Sequence, residues 1–306
     1  MNAKRLFLFA GYDRDGILDD TLIHYLNALS KLGDIILVMD CDVNDTSPLK
    51  GIKNLLYFET VRHNEYDFGS YKRGYMWARN QKILGNYDWV YLVNDSVYGP
   101  LFDMEPCLKK LESQHADLTG MVDFFDACTP KHVQSWFIGL SKKIAPSKMI
   151  YDFMQDIKKR HNKLEIICKY EVGLSRLILQ NGFEMFVLFH QYGNNGHPVY
   201  DNPKLVLENF IPFIKKQGLK NIGGNVLLLP YTSDDFNEKI FAHAKRTNLQ
   251  HPTKDIMDKN DKIYRLTFLS IPLCTIYKEE ALWHECFRVY IFDKIKIIKI
   301  IRRKTT

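Results

Sequence analysis

Apolar positions in the first two thirds of the chain come as short runs that alternate with helical-period stretches. Residues 6–10 are apolar and stop at Gly11, and Ile17, Leu18, Leu22, Ile23, Leu26 and Leu29 then recur along one helix face. Runs at 34–40, 55–58 and 89–93 predict three more strands, with a helix over about 69–81 before the last. Beyond Pro100 the pattern predicts a helix to about Ser113, strands at 117–122 and 132–141, helices near 147–160 and 171–181, and a strand at 183–189 opened by Asn181 and Gly182. Alternating strands and helices predict an α/β fold whose mainly parallel sheet is flanked by helices, with ligands at the carboxyl ends of the strands. The alternation fades near Pro230. A charged helical segment, a stretch interrupted by Pro252 and Pro272, and a basic end follow, so a main domain over 1–230 and a smaller, mostly helical appendage over 231–306 are expected.

Composition narrows the class. With 306 residues, 46% of them hydrophobic and 25% charged, the chain buries a large core, which excludes disorder, collagen and small disulfide scaffolds. Neither a membrane-length apolar run nor a secretory cleavage pattern is present, so a soluble, intracellular protein is expected. The six cysteines, at 41, 107, 128, 168, 274 and 286, make no Cys-x-x-Cys pair and are expected as buried thiols.

Charge is local. Six of the 42 basic residues lie between Lys294 and Lys304, and the other 36 balance 36 acidic ones. The body therefore predicts no nucleic-acid groove. Interleaved with five isoleucines, the tail wound as a helix suits an anionic membrane surface; a helix docked on its own domain and an edge strand with a frayed basic end compete with that reading.

The strand at 89–93 ends in Asn94, Asp95 and Ser96. Asp95 is a candidate ligand for Mg2+ or Mn2+ against a diphosphate, with Asn94 and Ser96 as neutral flanking donors, although the same triplet also closes a strand as an Asx or Ser turn. Upstream, Arg62 and Lys72 are cations for a diphosphate and Asp67 suits a ribose or base; alternatively Asp67 caps a helix beside solvated Lys72 and Arg73. Glu171, expected to open a helix at the same sheet edge, is either a general base for an acceptor hydroxyl or a first-turn residue that favours the helix dipole. His132, Gln134 and Trp136 suit a sugar, with a core Trp hydrogen-bonded to Gln as the competing reading.

In that order and at similar spacing, residues 62–74, 87–101, 132–137 and 170–174 resemble the rhamnan synthesis protein F family, over roughly residues 5–230. The run from Asn94 to Leu101 is the most specific part. That family is associated with bacterial surface-polysaccharide assembly and is similar to nucleotide-sugar glycosyltransferases of the GT-A fold. The resemblance implies a GT-A-like, Rossmann-like domain that moves a sugar, rhamnosyl as first guess, from a nucleotide-diphosphate sugar to a growing lipid-linked polysaccharide. Inversion is expected, because a base is suggested and a covalent nucleophile is not. Asp95 falls at the Asp-x-Asp metal motif of such enzymes, and Glu171, with Leu174, Gly182 and Phe183, keeps the spacing of the base in inverting members. Asp40 or Asp42 falls where these folds contact the nucleotide base, with Tyr12 and Asp13 as weaker candidates. One carboxylate in place of two leaves the cation held weakly, through water, with help from His190 or His197, or not at all; in the last case Arg62 and Lys72 would stabilise the leaving diphosphate. The expected location is the cytoplasm, peripheral on the inner face of the membrane. The alternative function is a non-catalytic subunit that binds glycan or nucleotide sugar in an assembly complex.

Overall fold

A computed structural model describes residues 3–127, 129–160, 162–192, 198–201, 203–221, 232–247, 261–268, 271–280, 284–291 and 295–303. The amino-terminal half winds β1 (Arg5–Gly11), α1 (Asp20–Ser30), β2 (Asp34–Met39), β3 (Leu55–Thr60), α2 (Tyr66–Asn80) and β4 (Trp89–Asn94). Along β1, Leu6, Leu8 and Ala10 pack on the side of Tyr71 and Tyr75 from α2, while Phe7 and Phe9 pack on the side of Leu22, Leu26 and Leu29 from α1. A fully buried parallel strand reads as a continuous apolar run for this reason: both of its faces are covered. Helix α1 begins where Asp19 accepts the backbone N–H groups of Thr21 and Leu22, an N-cap that stops the preceding loop.

The chain continues through β5 (Val97–Tyr98), α3 (Glu105–Glu112), β6 (Leu118–Phe124), β7 (His132–Val133), β8 (Phe137–Ser141) and α4 (Lys148–Gln155). Next come α5 (Lys163–Ile166), a π-helical turn at Ile167–Glu171, α6 (Val172–Gln180) and β9 (Met185–Phe189). The central sheet has the order β3-β2-β1-β4-β8-β6-β7, with β9 beside β6. Strands β3, β2, β1 and β4 are parallel; β8 runs antiparallel between β4 and β6, which returns β6 and β9 to the direction of β4. This is the expected α/β, Rossmann-like sheet, with the ends of β1, β4, β6 and β9 on one edge.

Two local expectations are corrected. The strand foreseen at 132–141 is broken: β7 pairs with β6, β8 pairs with β4 and β6, and Gln134, Ser135 and Trp136 form the intervening corner. Glu171 does not open a helix. It closes a π turn that joins α5 to α6 without interruption, so its carboxylate gains nothing from a helix amino end. Such turns are frequent at functional sites because they displace a side chain from the regular helical register.

After β9, α7 (Pro198–Asp201) and α8 (Pro203–Glu208) lead to β10 (Ile214–Lys215), which runs directly into α9 (Lys216–Asn221). β10 pairs antiparallel with β5, Ile214 opposite Tyr98 and Lys215 opposite Val97. The charged helix α10 (Asp234–Arg246) forms as expected, but its Phe236, Ile240 and Ala244 pack with Tyr98, Leu101, Leu207 and Ile214 of the body, across the boundary drawn at 230. Among the described residues the rest of the appendage is not helical. β11 (Asp261–Phe268), β12 (Ile271–Glu280), β13 (His284–Ile291) and β14 (Ile295–Arg303) form a four-stranded antiparallel sheet in sequence order. Over 295–303 the basic tail is thus an edge strand, one of the two competing readings, and not an amphipathic helix. Its isoleucines are β-branched and stiff, and β13 supplies the backbone partner that an isolated strand lacks. Among the described residues no helix is long and apolar enough to cross a membrane.

Candidate functional site

The end of β4 is organised by an amide. Asn94, 1% exposed, donates through Nδ2 to Asp67 Oδ2 at 2.8 Å and accepts through Oδ1 from the Ser96 N–H at 3.0 Å and the Ser96 hydroxyl at 2.6 Å. Only a side chain that both donates and accepts can join these two groups. A carboxylate at position 94 would face that of Asp67 with no proton between them. Asp95 turns the other way: its Oδ2 accepts the Tyr12 N–H at 3.1 Å and lies 3.9 Å from Lys216 Nζ. Burial pushes the Asp95 carboxyl above its ordinary range, against the Lys216 charge and the Tyr12 hydrogen bond.

Pairing of β10 with β5 brings two lysines to this end. Lys215, 9% exposed, donates from Nζ to Ser96 Oγ at 2.8 Å and lies 5.6 Å from the Trp136 ring centre. The Lys216 N–H donates to the Ser96 carbonyl at 3.0 Å. Lys215 and Ser96 line a cavity of about 150 Å³ together with Tyr66, Asp67, Gln134, Trp136, Glu171 and Tyr200.

Across that cavity, Glu171 holds the corner between β7 and β8. Its Oε2 accepts the Ser135 N–H at 3.1 Å and its Oε1 lies 3.2 Å from His132 Nε2. His132 Nδ1 faces the Pro130 carbonyl at 2.8 Å, so both ring nitrogens meet acceptors and the imidazolium satisfies both at once. Burial is the largest single influence and opposes charge on either partner, but their hydrogen bond, their opposite charges and the hydrogen bonds to Pro130 and Ser135 together outweigh it. Glu171 is held below, and His132 above, its ordinary value. The Trp136 N–H donates to Gln134 Oε1 at 2.9 Å, which leaves the 2%-exposed indole satisfied while its ring still borders the cavity.

Helix α10 closes the loop after β1. The Arg246 guanidinium donates to Asp13 at 2.6 and 3.1 Å, to Asp15 at 3.2 Å and to Asp19 at 3.2 Å. Burial, and then the nearby Lys216 charge, push His243 down to about 4. Neutral near pH 7, it accepts the Tyr98 hydroxyl at Nδ1 and donates to Asp19 from Nε2. Arg246→Ala leaves three carboxylates facing one another and is expected to cost on the order of 2 kcal/mol, read by urea denaturation; an unchanged midpoint would show that the clamp is inert.

The sequence profile of rhamnan synthesis protein F matches residues 35–267. The chain belongs to that family. No curated protein matches it. The family ties the chain to rhamnan polysaccharide synthesis, and its matched stretch includes β4, the Glu171 turn, β10 and α10.

In this rhamnan synthesis F family member the residues singled out from the sequence divide. Asp67, Ser96, Gln134, Trp136 and Glu171 line one cavity, and Asn94 and His132 hold members of it in place. Lys72 does not join them; its Nζ donates to the carbonyls of Gln155 and Ile157 and so serves the end of α4. Arg62 forms an exposed ion pair with Asp42 at 3.4 Å, and neither lines the cavity. Asp40 is buried and accepts the Asn64 N–H at 2.9 Å, which shapes the loop after β3. Tyr12 has an exposed side chain and contributes its backbone, while Asp13 is committed to Arg246. His190 pairs with Asp123 at 2.7 Å, away from Asp95, and His197 lies outside the described residues.

Lys215, Lys216, Ser135 and Tyr200 escape the sequence reading. The adjacent lysines after the apolar Phe213 and Ile214 are the one available signal. The donor set at the β4 end does not fit a divalent cation. Asp95 is the single carboxylate of the 94–96 triplet, and an ammonium stands 3.9 Å from one of that carboxylate's two oxygens. Among the described residues no three His, Cys, Asp or Glu side chains gather to hold a metal ion.

Proposed function

We propose that this protein is a glycosyltransferase of the GT-A type that moves a sugar, rhamnosyl by the family's name, from a nucleotide-diphosphate sugar to a lipid-linked surface polysaccharide, with inversion. What carries this reading is one cavity at the carboxyl edge of the sheet that has Glu171 and Lys215 in the same wall lining, with Trp136 and Asp67 beside them. The acceptor oxygen attacks the anomeric carbon, the bond to the diphosphate breaks with its electron pair, and Glu171 takes the hydroxyl proton. Lys215 offsets the charge that develops on the leaving group. Trp136 offers a ring face, and Asp67 a carboxylate, to sugar or ribose hydroxyls. A lipid-linked acceptor would bring the chain to the inner membrane face, where the six cations of 294–304 suit anionic lipid. The test is release of nucleoside diphosphate from a panel of nucleotide sugars with glycan acceptors; no turnover with any pair would overturn the reading.

The Glu171–His132 pair sets the pH dependence. His132, raised above 6.5, contributes stability that is full below 6.5 and lost as pH rises through its folded value. Glu171, held below 4.5, contributes stability that is present above 4.5 and lost as pH falls through its folded value. Loss of the imidazolium proton restores basicity to Glu171. Transfer should therefore rise with pH above 6.5 while thermal stability falls, and parallel pH profiles of kcat/KM and Tm check the opposition.

A non-catalytic binding subunit is the second reading, because both Glu171 oxygens already accept hydrogen bonds, as in a carboxylate that only fixes the 132–136 corner.

A further inference from the structure

We propose that Lys215 and Lys216 hold the donor diphosphate in place of a divalent cation, so that nucleoside diphosphate binds this protein without metal. The inference rests on the transferase reading and deepens it.

Three observations converge on it. The second carboxylate that a cation would use is absent for a structural reason: the side chain at position 94 donates to Asp67 and accepts from Ser96, which an amide does and an ionised carboxylate, an acceptor only, does not. The carboxylate that remains, Asp95, has the Tyr12 N–H on Oδ2 and the Lys216 ammonium 3.9 Å from that same atom. A cation bound there would be repelled by the ammonium and would keep only Oδ1 unshared with those partners.

Positive charge is nevertheless built into this end of the sheet. The β10–β5 register sets Lys215 opposite Val97, one residue beyond Ser96, and the Lys215 Nζ is fastened to Ser96 Oγ at 2.8 Å over the Trp136 ring. Lys216 follows on the other side of the same strand end, 5.5 Å from the Tyr98 ring centre. Two ammonium groups carry the charge of one divalent cation, and fixed cations of this kind stabilise a diphosphate as it leaves. Lysine acts here as a point charge with three rotatable donors, so it can exchange Ser96 Oγ or Asp95 for a phosphate oxygen.

The experiment is calorimetric titration of the full chain with a panel of nucleoside diphosphates, in EDTA and in MnCl2. One diphosphate is expected to bind equally in both, and Lys215→Met with Lys216→Met is expected to weaken it tenfold or more, the size of a lost charge-assisted hydrogen bond. Lys216→Met alone, at a half-buried position, keeps the test open if the double variant does not fold, and Lys216→Arg should restore binding. Binding that appears only with MnCl2 and is lost in Asp95→Asn would overturn the inference while leaving the transferase reading in place. No binding of any nucleoside diphosphate in either buffer would overturn the transferase reading and this inference with it.

Discussion

Glu171→Gln is expected to lower the rate of sugar transfer by about 10²–10⁴-fold, the usual contribution of a positioned general base, with nucleoside-diphosphate affinity unchanged. Glutamine has nearly the same shape and still accepts the Ser135 N–H, so the corner at 134–136 keeps its anchor. What is lost is the carboxylate that takes the acceptor proton. The rise of activity above pH 6.5 should vanish as well, because His132 then has no ionised partner to compete for. If Glu171 only fixes the corner, the variant should transfer sugar at close to the parent rate. In a binding subunit neither form turns over, and both bind the nucleotide equally. Single-turnover rates beside calorimetric titrations separate the three outcomes.

Glu112→Ala is expected to destabilise the fold by about 3–5 kcal/mol, the cost of leaving one partner of a buried ion pair alone. Arg5 is 3% exposed and reaches Glu112 with two hydrogen bonds, from Nε at 2.6 Å and from the second guanidinium nitrogen at 2.8 Å. The Tyr91 hydroxyl donates to the same carboxylate at 2.9 Å. The hydrogen bonds that Arg5 donates to Glu112 raise the Arg5 pKa against burial, so the guanidinium stays charged and cannot escape by losing a proton. Glu112→Gln keeps acceptors for one arm and for the hydroxyl, and its loss should be smaller. Urea unfolding of the two variants measures the difference, and equal midpoints for Glu112→Ala and the parent would refute it. Arg5 opens β1 whereas the cavity lies beyond the far ends of the strands, so the folded fraction should bind nucleotide normally.

Much of the α/β body is legible in the chain, since a strand buried on both faces must be apolar throughout and a helix buried on one face must be apolar at a 3.6-residue period. The apolar runs at 6–10, 34–40 and 89–93 declare themselves for that reason, as does the polar triplet where the third of them reaches the sheet edge. Glu171 is expected on that edge and Gln134 and Trp136 at a sugar, and the three do share a cavity.

Charged residues carry no such periodic signature. Lys72 stands among the right neighbours in sequence, yet one helical face decides that it serves the carbonyls at the end of α4. Lys215 lies 119 positions from Ser96 and reaches it only because β10 pairs with the two-residue strand β5. The helical reading of the tail fails in the same way: its spacing fits either a helix or a strand, and β13 as backbone partner settles the choice. Local sequence determines which face of an element is buried, because burial acts residue by residue. Which cation meets which anion depends on long-range backbone pairing, and that only the tertiary structure decides.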